Sequence, residues 1–215
     1  MLAQYIDATN LKPEASSDDI KKLCEEAVKY NMAAVCINPC RLPLAVSILR
    51  KTPVKPCTVI SFPLGAELPD VKRVQAVEAL KIGALELDVV MNIGAFKDRD
   101  YKLVEDEIKG LLRLKQDFDY VLKVIVETAL LSEDELAVAT KIISETGADF
   151  IKTSTGFSSR GVSIEDIEII KENKSNKLKI KASGGIKELD FARRLIEAGV
   201  HRIGSSNPLK IIGVL

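Results

Sequence analysis

The sequence predicts a single α/β domain over residues 1–215, folded as a (β/α)8 barrel. Eight short, apolar, β-branched runs alternate along the chain with amphipathic stretches of helical period. No linker, low-complexity tract or change of composition divides these units. Eight β/α units in 215 residues fit a compact TIM barrel. An open doubly wound sheet is the alternative, but the segment after the first strand lacks the glycines of a dinucleotide-binding loop.

The element boundaries follow from the apolar period and from capping residues. Ser132 with Glu135 and Ser163 with Asp166 have the spacing of helix N-caps. We expect Gly147 to end the first of these two helices. Further helices are expected at residues 16–30, 69–83 and 187–199, and strands at residues 5–9, 33–37, 57–62, 85–90, 121–126, 149–152, 178–181 and 200–204.

Composition excludes several classes of function. Lys+Arg and Asp+Glu each total 31, so the formal net charge is zero and favours neither nucleic acid nor an anionic membrane as a partner. No apolar run approaches the ~18 residues that span a bilayer, and the first residues lack the basic and apolar regions of a signal peptide. We therefore expect a cytoplasmic protein whose four cysteines are free thiols. No metal site is expected, because His201 is the one histidine and the Cys36–Cys40 spacing lacks a second ligand pair.

Two lysines, Lys152 and Lys181, stand at the ends of apolar, strand-like runs. A buried ammonium group is costly unless it is paired or neutralised. An amine beside a second cation in a dry pocket loses its proton readily and becomes a nucleophile toward carbonyls, so this pair predicts Schiff-base chemistry. We expect Asp88, at another strand end, to keep one lysine charged and to relay protons. The alternative is that both lysines extend from strand ends into water, and composition alone does not fix which one is the nucleophile.

Strand alternation predicts a charged barrel interior. All strands of a (β/α)8 barrel end at the same face, and residues two apart on a strand point to the same side. A purely structural ion-pair network gains little stability, so charges concentrated at that face favour a functional site. The pairs expected to share a side are Glu86 with Asp88, Lys123 with Glu127, and Lys179 with Lys181.

Glycines follow the last two expected strands. The loops after strands seven and eight of such barrels often bind phosphate through backbone N–H groups, and glycine lets the backbone approach closely. Gly184-Gly185 and Gly204-Ser205-Ser206 therefore predict a phosphate site. Ordinary turn glycines are the alternative interpretation.

Motifs along nearly the whole chain resemble the deoxyribose-phosphate aldolases, a family of class I aldolases built on a TIM barrel. The motif that begins at Lys152, Lys-Thr-Ser-Thr-Gly, is highly specific for this family. The motif that begins at Lys181, Lys-Ala-Ser-Gly-Gly-Ile, is nearly as specific when it follows at this distance. The other matching segments are residues 5–13, 35–39, 59–65, 86–94, 122–128 and 202–204.

The resemblance implies reversible cleavage of 2-deoxy-D-ribose 5-phosphate to acetaldehyde and D-glyceraldehyde 3-phosphate, without a cofactor, by a homodimer or homotetramer. By motif, Lys152 matches the Schiff-base lysine, Lys181 the lysine that tunes it, and Asp88 the proton relay. Asp7 matches an aspartate near the substrate hydroxyls. The other residues expected to bind substrate are Cys36, Thr153, Gly184, Gly185, Gly204, Ser205 and Ser206.

Three departures from the family pattern and three alternative functions accompany this assignment. Ala8 stands where members often have histidine, the last phosphate loop continues as Asn207-Pro208 instead of glycine, and the sequence lacks the longer C-terminal tail of some members. Another Schiff-base aldolase or a transaldolase is one alternative function. The others are a lyase or decarboxylase that pairs lysine with Glu127, and a non-catalytic phosphosugar-binding barrel.

Overall fold

The protein is a closed barrel of eight parallel strands, seen in a computed structural model that describes residues 2–214. The strands pair in chain order, and the first pairs with the last to close the barrel. This arrangement confirms the expected (β/α)8 fold, with every strand within a few residues of its expected position. The strands are β1 (Ile6–Asn10), β2 (Ala34–Ile37), β3 (Lys55–Ile60), β4 (Glu86–Val90), β5 (Val121–Ile125), β6 (Phe150–Lys152), β7 (Lys179–Ser183) and β8 (Arg202–Ser205).

Helices connect the strands and surround the barrel. They are α1 (Ser17–Lys29), α2 (Leu42–Leu49), α3 (Pro69–Ile82), α4 (Ile93–Lys97), α5 (Tyr101–Leu112), α6 (Glu133–Thr146), α7 (Ile164–Asn173), α8 (Leu189–Glu197) and α9 (Pro208–Ile211). Ser132 and Ser163 cap α6 and α7 with the predicted capping boxes, and Gly147 ends α6 in a left-handed conformation. In residues 2–214, no helix has both the length and the apolar character needed to cross a membrane.

Alternation along the strands separates an apolar outer layer from a charged interior. Leu87 and Val89 on β4 belong to the large apolar core, while Asp88 between them is buried in contact with lysines from other strands. Lys179 is an exception to the expected pairing with Lys181. It lies exposed at the first position of β7, with its Nζ 5.7 Å from the centroid of the Phe150 ring, so only Lys181 of that pair reaches the interior.

Candidate active site

Asp88 is fully buried and lies at the meeting point of three lysines. Its Oδ2 accepts hydrogen bonds from the Nζ atoms of Lys152 and Lys181 at 2.7 and 2.6 Å. Its Oδ1 accepts a hydrogen bond from Lys123 Nζ at 2.7 Å. The strand register explains this convergence, because Lys152 is level with Lys181 and Asp88 is level with Lys123 on neighbouring strands. The structure therefore brings together the three residues that were expected to carry the chemistry.

These contacts determine the charges of the buried groups. Burial alone would raise the pKa of Asp88, but Lys123, Lys152 and Lys181 outweigh it and hold that pKa well below its usual value. Burial alone would lower the pKa of Lys181, yet Asp7 and Asp88 raise it above the usual lysine value. The pKa of Lys123 is likewise raised, because Asp88 outweighs the effect of burial. At neutral pH, Asp88 is therefore an anion, and Lys123 and Lys181 are cations.

Arg202 extends this network toward the amino ends of the strands. Its Nε donates to Asp7 Oδ1 at 2.6 Å, and its Nη2 lies 2.9 Å from Glu86 Oε2. Glu86 Oε2 is also 2.6 Å from Lys123 Nζ, and Asp7 contacts Lys181. Burial opposes ionisation of Asp7, but Arg202 and Lys181 lower the pKa of Asp7 to about 2. Each carboxylate of the network is thus held by at least two basic groups.

The charges of this interior network do not balance. Within residues 2–214, Lys152 contacts one carboxylate of the network, whereas each other basic member contacts two. If all four basic groups were protonated, one positive charge would remain without a counter-ion. The members are Lys123, Lys152, Lys181 and Arg202 against Asp7, Glu86 and Asp88.

A pocket of about 460 Å³ opens at the carboxyl ends of the strands, above the network. Asp7, Cys36 and Thr153, which the motifs place at the substrate, lie beneath this lining instead and are buried. Lys181 and Asp88 also lie beneath the lining, where Asp88 accepts hydrogen bonds from Lys152 and Lys181. The expected site residues that line the pocket are Lys152, Gly184, Gly185, Gly204, Ser205 and Ser206.

Two glycines shape one side of the pocket through their backbone conformation. Gly184 and Gly185 have φ angles of 82° and 74°, in the region that favours glycine. The main chain at Gly161 packs against them so closely that a Cβ atom there would lie 2.0 Å from the Gly184 oxygen. Val162 N–H donates to that same oxygen at 3.2 Å. The β7–α8 and β6–α7 connections are therefore locked together beside Lys152.

The two serines after Gly204 have different surroundings. The Ser205 hydroxyl donates to the Ile186 carbonyl at 3.1 Å and accepts from the Asn207 N–H at 3.0 Å, so it holds the loop. Ser206 is exposed on the pocket lining. Lys12, Lys22 and Lys187 also line the pocket together with Asp19 and Glu26, so basic side chains outnumber acidic ones in the lining.

Comparisons with known proteins identify the family. The family model for "DeoC/LacD family aldolase" matches residues 1–215. The chain belongs to this family. The enzyme is therefore an aldolase, a class of lyase, and the resemblance found in its motifs is confirmed.

Three relatives illustrate the match. The aldolase is 47% identical over 212 residues to a "Deoxyribose-phosphate aldolase" of Caldanaerobacter subterraneus subsp. tengcongensis, covering 98% of this chain and 92% of that protein. It superposes on the solved structure "QR15, an Aldolase" with a TM-score of 0.93, 45% identity, and coverage of 98% and 93%. A structure titled "Unique tetrameric structure of deoxyribose phosphate aldolase from Aeropyrum pernix" gives a TM-score of 0.91, 32% identity, and coverage of 98% and 89%.

Sequence reasoning did not include Lys123 or Cys57 among the site residues of the aldolase. Lys123 was noted only as an interior charge, and nothing in the sequence shows that it is level with Asp88. Cys57 Sγ lies 3.3 Å from Asp88 Oδ1, and Cys57 on β3 is level with Cys36 on β2. The sulfurs of Cys36 and Cys57 and a carboxylate oxygen of Asp88 lie within 4.8 Å of one another, a spacing that could hold a metal ion. Three lysine Nζ atoms already contact that carboxylate, so a further cation there is electrostatically unfavourable.

Glu127 and Arg160 hold the connection that follows Lys152. Glu127 is buried and has a φ angle of 55°, which is uncommon for a residue other than glycine. Its Oε2 accepts from the N–H of Thr155, a residue of the pocket lining, at 3.2 Å. Arg160 donates to the Thr128 carbonyl at 3.1 Å and to Asp166 Oδ1 at 2.9 Å. Both side chains therefore position the pocket wall.

Proposed function

We propose that this aldolase catalyses the reversible cleavage of 2-deoxy-D-ribose 5-phosphate to acetaldehyde and D-glyceraldehyde 3-phosphate through an imine on Lys152. The contact of one buried carboxylate, Asp88, with both Lys152 and Lys181 beneath a glycine-walled pocket carries the proposal. The motifs at Lys152 and Lys181 and the names of the relatives support the same substrate.

The surroundings of the two lysines favour Lys152 as the nucleophile. Lys152 lines the pocket, where a substrate aldehyde can reach its Nζ, whereas Lys181 lies beneath the lining. Lys181 is held as a cation by Asp7 and Asp88, which raise its pKa. Lys152 has one carboxylate contact of the network, which it shares with Lys123 and Lys181, so its amine is the least firmly held of the three.

The proposed reaction begins when Lys152 Nζ adds to the C1 aldehyde of the open-chain sugar. Loss of water from the carbinolamine gives an iminium ion. When the C3 hydroxyl loses its proton, the C2–C3 bond breaks, its electron pair forms the enamine, and D-glyceraldehyde 3-phosphate leaves. Protonation of the enamine at its terminal carbon and hydrolysis of the imine then release acetaldehyde and restore the amine. Asp88 and Lys181, through water, would move these protons.

The remaining expected residues would bind the phosphate or hold the site together. Backbone N–H groups of the loops at Gly184, Gly185 and Gly204, with Ser206, would bind the phosphate. We propose that Asp7, Cys36 and Thr153 act from beneath the lining by positioning other groups, and that the Ser205 hydroxyl fixes its loop. We also propose a homo-oligomer, as the Aeropyrum pernix relative is tetrameric by its title, and a cytoplasmic location, where phosphorylated sugars are found.

The proposal is tested by borohydride trapping with acetaldehyde, followed by intact mass and peptide mapping. We expect one ethyl group on Lys152 in the native protein and none in Lys152→Met. An adduct on Lys181 would show that Lys181 is the nucleophile and that Lys152 is the lysine that tunes it. Folded native protein that forms no adduct in repeated trials would refute the imine mechanism and favour a non-catalytic phosphosugar-binding barrel.

A second measurement tests the substrate. Cleavage of 2-deoxy-D-ribose 5-phosphate is followed by reduction of the released acetaldehyde, with unphosphorylated 2-deoxyribose as the control. We expect the phosphate to raise kcat/KM, since the glycine loops and nearby lysines favour an anion. If acetaldehyde is trapped on the protein but the phosphosugar is not cleaved, the imine mechanism stands and the proposed substrate is refuted. The protein would then be another Schiff-base aldolase.

A further inference from the structure

Glu127, just after β5, combines two energetically costly features. Its φ angle of 55° lies in the left-handed region that residues other than glycine rarely adopt. Its side chain is buried, and its Oε1 accepts no hydrogen bond from any group in residues 2–214. A strained backbone and an unpartnered buried carboxylate oxygen both cost free energy, and such features are concentrated at functional sites. Together they indicate a role for Glu127 beyond packing.

Glu127 also differs from the other buried carboxylates in its partners. Asp7 Oδ2 and Glu107 Oε2 likewise accept no hydrogen bond within the described residues, but each contacts a lysine Nζ. Every other buried carboxylate of residues 2–214 contacts a lysine or an arginine as well. The polar contacts of Glu127 are instead with Thr155, a residue of the pocket lining.

The hydrogen bonds of Thr155 determine what its hydroxyl can offer to a ligand. Glu127 Oε2 accepts from the Thr155 N–H at 3.2 Å and also from the Thr155 hydroxyl. Because a carboxylate can only accept, the hydroxyl proton points to Glu127. The hydroxyl oxygen in turn accepts from the Phe157 N–H at 3.1 Å, which occupies one of its two lone pairs. One lone pair remains, so the Thr155 hydroxyl can accept a further hydrogen bond but cannot donate one.

Thr155 shares the pocket lining with Lys152 and with Gly184 of the expected phosphate loop. The residue before it, Ser154, is attached to the strand that leads into that loop, because its carbonyl accepts from the Ser183 hydroxyl at 2.6 Å. Ser154 also packs closely on the loop, since a Cβ atom on Gly184 would lie 3.2 Å from the Ser154 Cβ. A sugar joined to Lys152 at C1 and bound at its phosphate by the glycine loop would therefore pass Thr155.

The proposed substrate has one hydroxyl that suits an acceptor at this place. C1 forms the imine, the C3 hydroxyl gives its proton to the relay, and C5 carries the phosphate. The C4 hydroxyl takes no part in breaking the C2–C3 bond and keeps its proton, so it can donate a hydrogen bond throughout the reaction. A hydroxyl oxygen that itself donates to a carboxylate is polarised and accepts more strongly.

We propose that Glu127 is a positioning residue that makes the Thr155 hydroxyl an acceptor for the C4 hydroxyl of the substrate. Thr155 thereby selects sugars that carry a hydroxyl at C4, and Glu127 acts through Thr155 without touching the substrate. The inference rests on the proposed function and adds the groups that recognise the part of the sugar released as D-glyceraldehyde 3-phosphate. The strained backbone and the unpartnered oxygen of Glu127 are then the consequence of holding a carboxylate behind the pocket wall.

The first test compares cleavage of 2-deoxy-D-ribose 5-phosphate with cleavage of the 2,4-dideoxy sugar phosphate, which lacks only the C4 hydroxyl. The ratio of the two kcat/KM values is measured from acetaldehyde release for the native chain, Thr155→Val and Thr155→Ser. The open-chain fraction differs between the two sugars but is the same for every variant, so a change in the ratio reports on the protein. We expect Thr155→Val to lower the ratio about tenfold and Thr155→Ser, which keeps the hydroxyl, to retain it.

The second test, Glu127→Gln, separates positioning from a structural role. The amide has the shape of the carboxylate, yet its neutral oxygen accepts hydrogen bonds less strongly. We expect the ratio to fall roughly threefold or more. The urea midpoint should stay the same or rise, because the variant removes a buried charge that has no basic partner among the described residues. A lower urea midpoint with an unchanged ratio would make Glu127 structural and overturn the inference.

The two sugars also distinguish failure of the inference from failure of the proposed function. If Thr155→Val loses activity equally on both sugars, disruption of the loop is the cause and the inference is overturned. If the native chain cleaves both sugars and no variant changes the ratio, the inference alone is overturned. If the native chain cleaves neither sugar, the proposed function is refuted and the inference with it.

Discussion

Substitution of Asp88 by Asn tests the proton relay most directly. The side chain keeps its shape but loses the negative charge that three lysine Nζ atoms contact within 2.7 Å. Groups that transfer protons in the transition state contribute about 10²- to 10⁴-fold to rate, so we expect kcat to fall by that factor with a much smaller change in KM. The buried network would then hold four basic groups against two carboxylates, and breaking a buried pair costs about 3–5 kcal/mol of unfolding free energy.

The matched control for this substitution is Glu86→Gln. It removes a carboxylate from the same network, where Glu86 contacts Lys123 and Arg202 but neither Lys152 nor Lys181. Both variants should lose similar stability in urea unfolding, while only Asp88→Asn should lose most of its turnover in a coupled assay of acetaldehyde release. Equal losses of kcat in the two variants would refute a relay role and leave a structural one. A change confined to KM would show that Asp88 only binds.

Three further predictions concern charge and loop packing. Lys152→Met should lose cleavage yet unfold no more easily than the native chain, whereas Lys181→Met should also lose about 3–5 kcal/mol of stability in urea. Folding lowers the pKa of Asp7 from 3.8 to about 2. This shift contributes about 2 kcal/mol to the free energy of unfolding above pH 3.8, and the contribution is lost as the pH falls toward 2. The urea midpoint of Asp7→Asn should therefore lack this acid-dependent decrease. Gly161→Ala should raise KM roughly tenfold or more, because the added Cβ atom would collide with the Gly184 oxygen. Gly110→Ala is the control and should keep the native KM, because the atom nearest to its added Cβ is a side-chain atom at 3.6 Å.

The sequence predicted the fold well because local patterns determine its elements. The apolar runs and the caps at Ser132 and Ser163 specify where each strand and helix lies, and eight such units allow few other arrangements. The depth of a side chain inside the barrel cannot be predicted from such local patterns, because it depends on the stagger between strands. This is why Asp7, Cys36 and Thr153 lie beneath the pocket lining and why the contact of Lys123 with Asp88 was not foreseen. Long-range packing also determines the role of Arg160, whose partner Thr128 is 32 residues away.

Stability and catalysis place opposite demands on the interior lysines. A lysine that supports the fold needs carboxylate partners that keep it charged, and Lys123 and Lys181 each contact two. A nucleophilic lysine must release its proton, so firm ion pairing would hinder it. Lys152 shares its one carboxylate of the network with both of those lysines and lies where substrate can reach it. The surplus basic group of the network therefore fits the proposed chemistry, because the fold retains a lysine that its own electrostatics do not require.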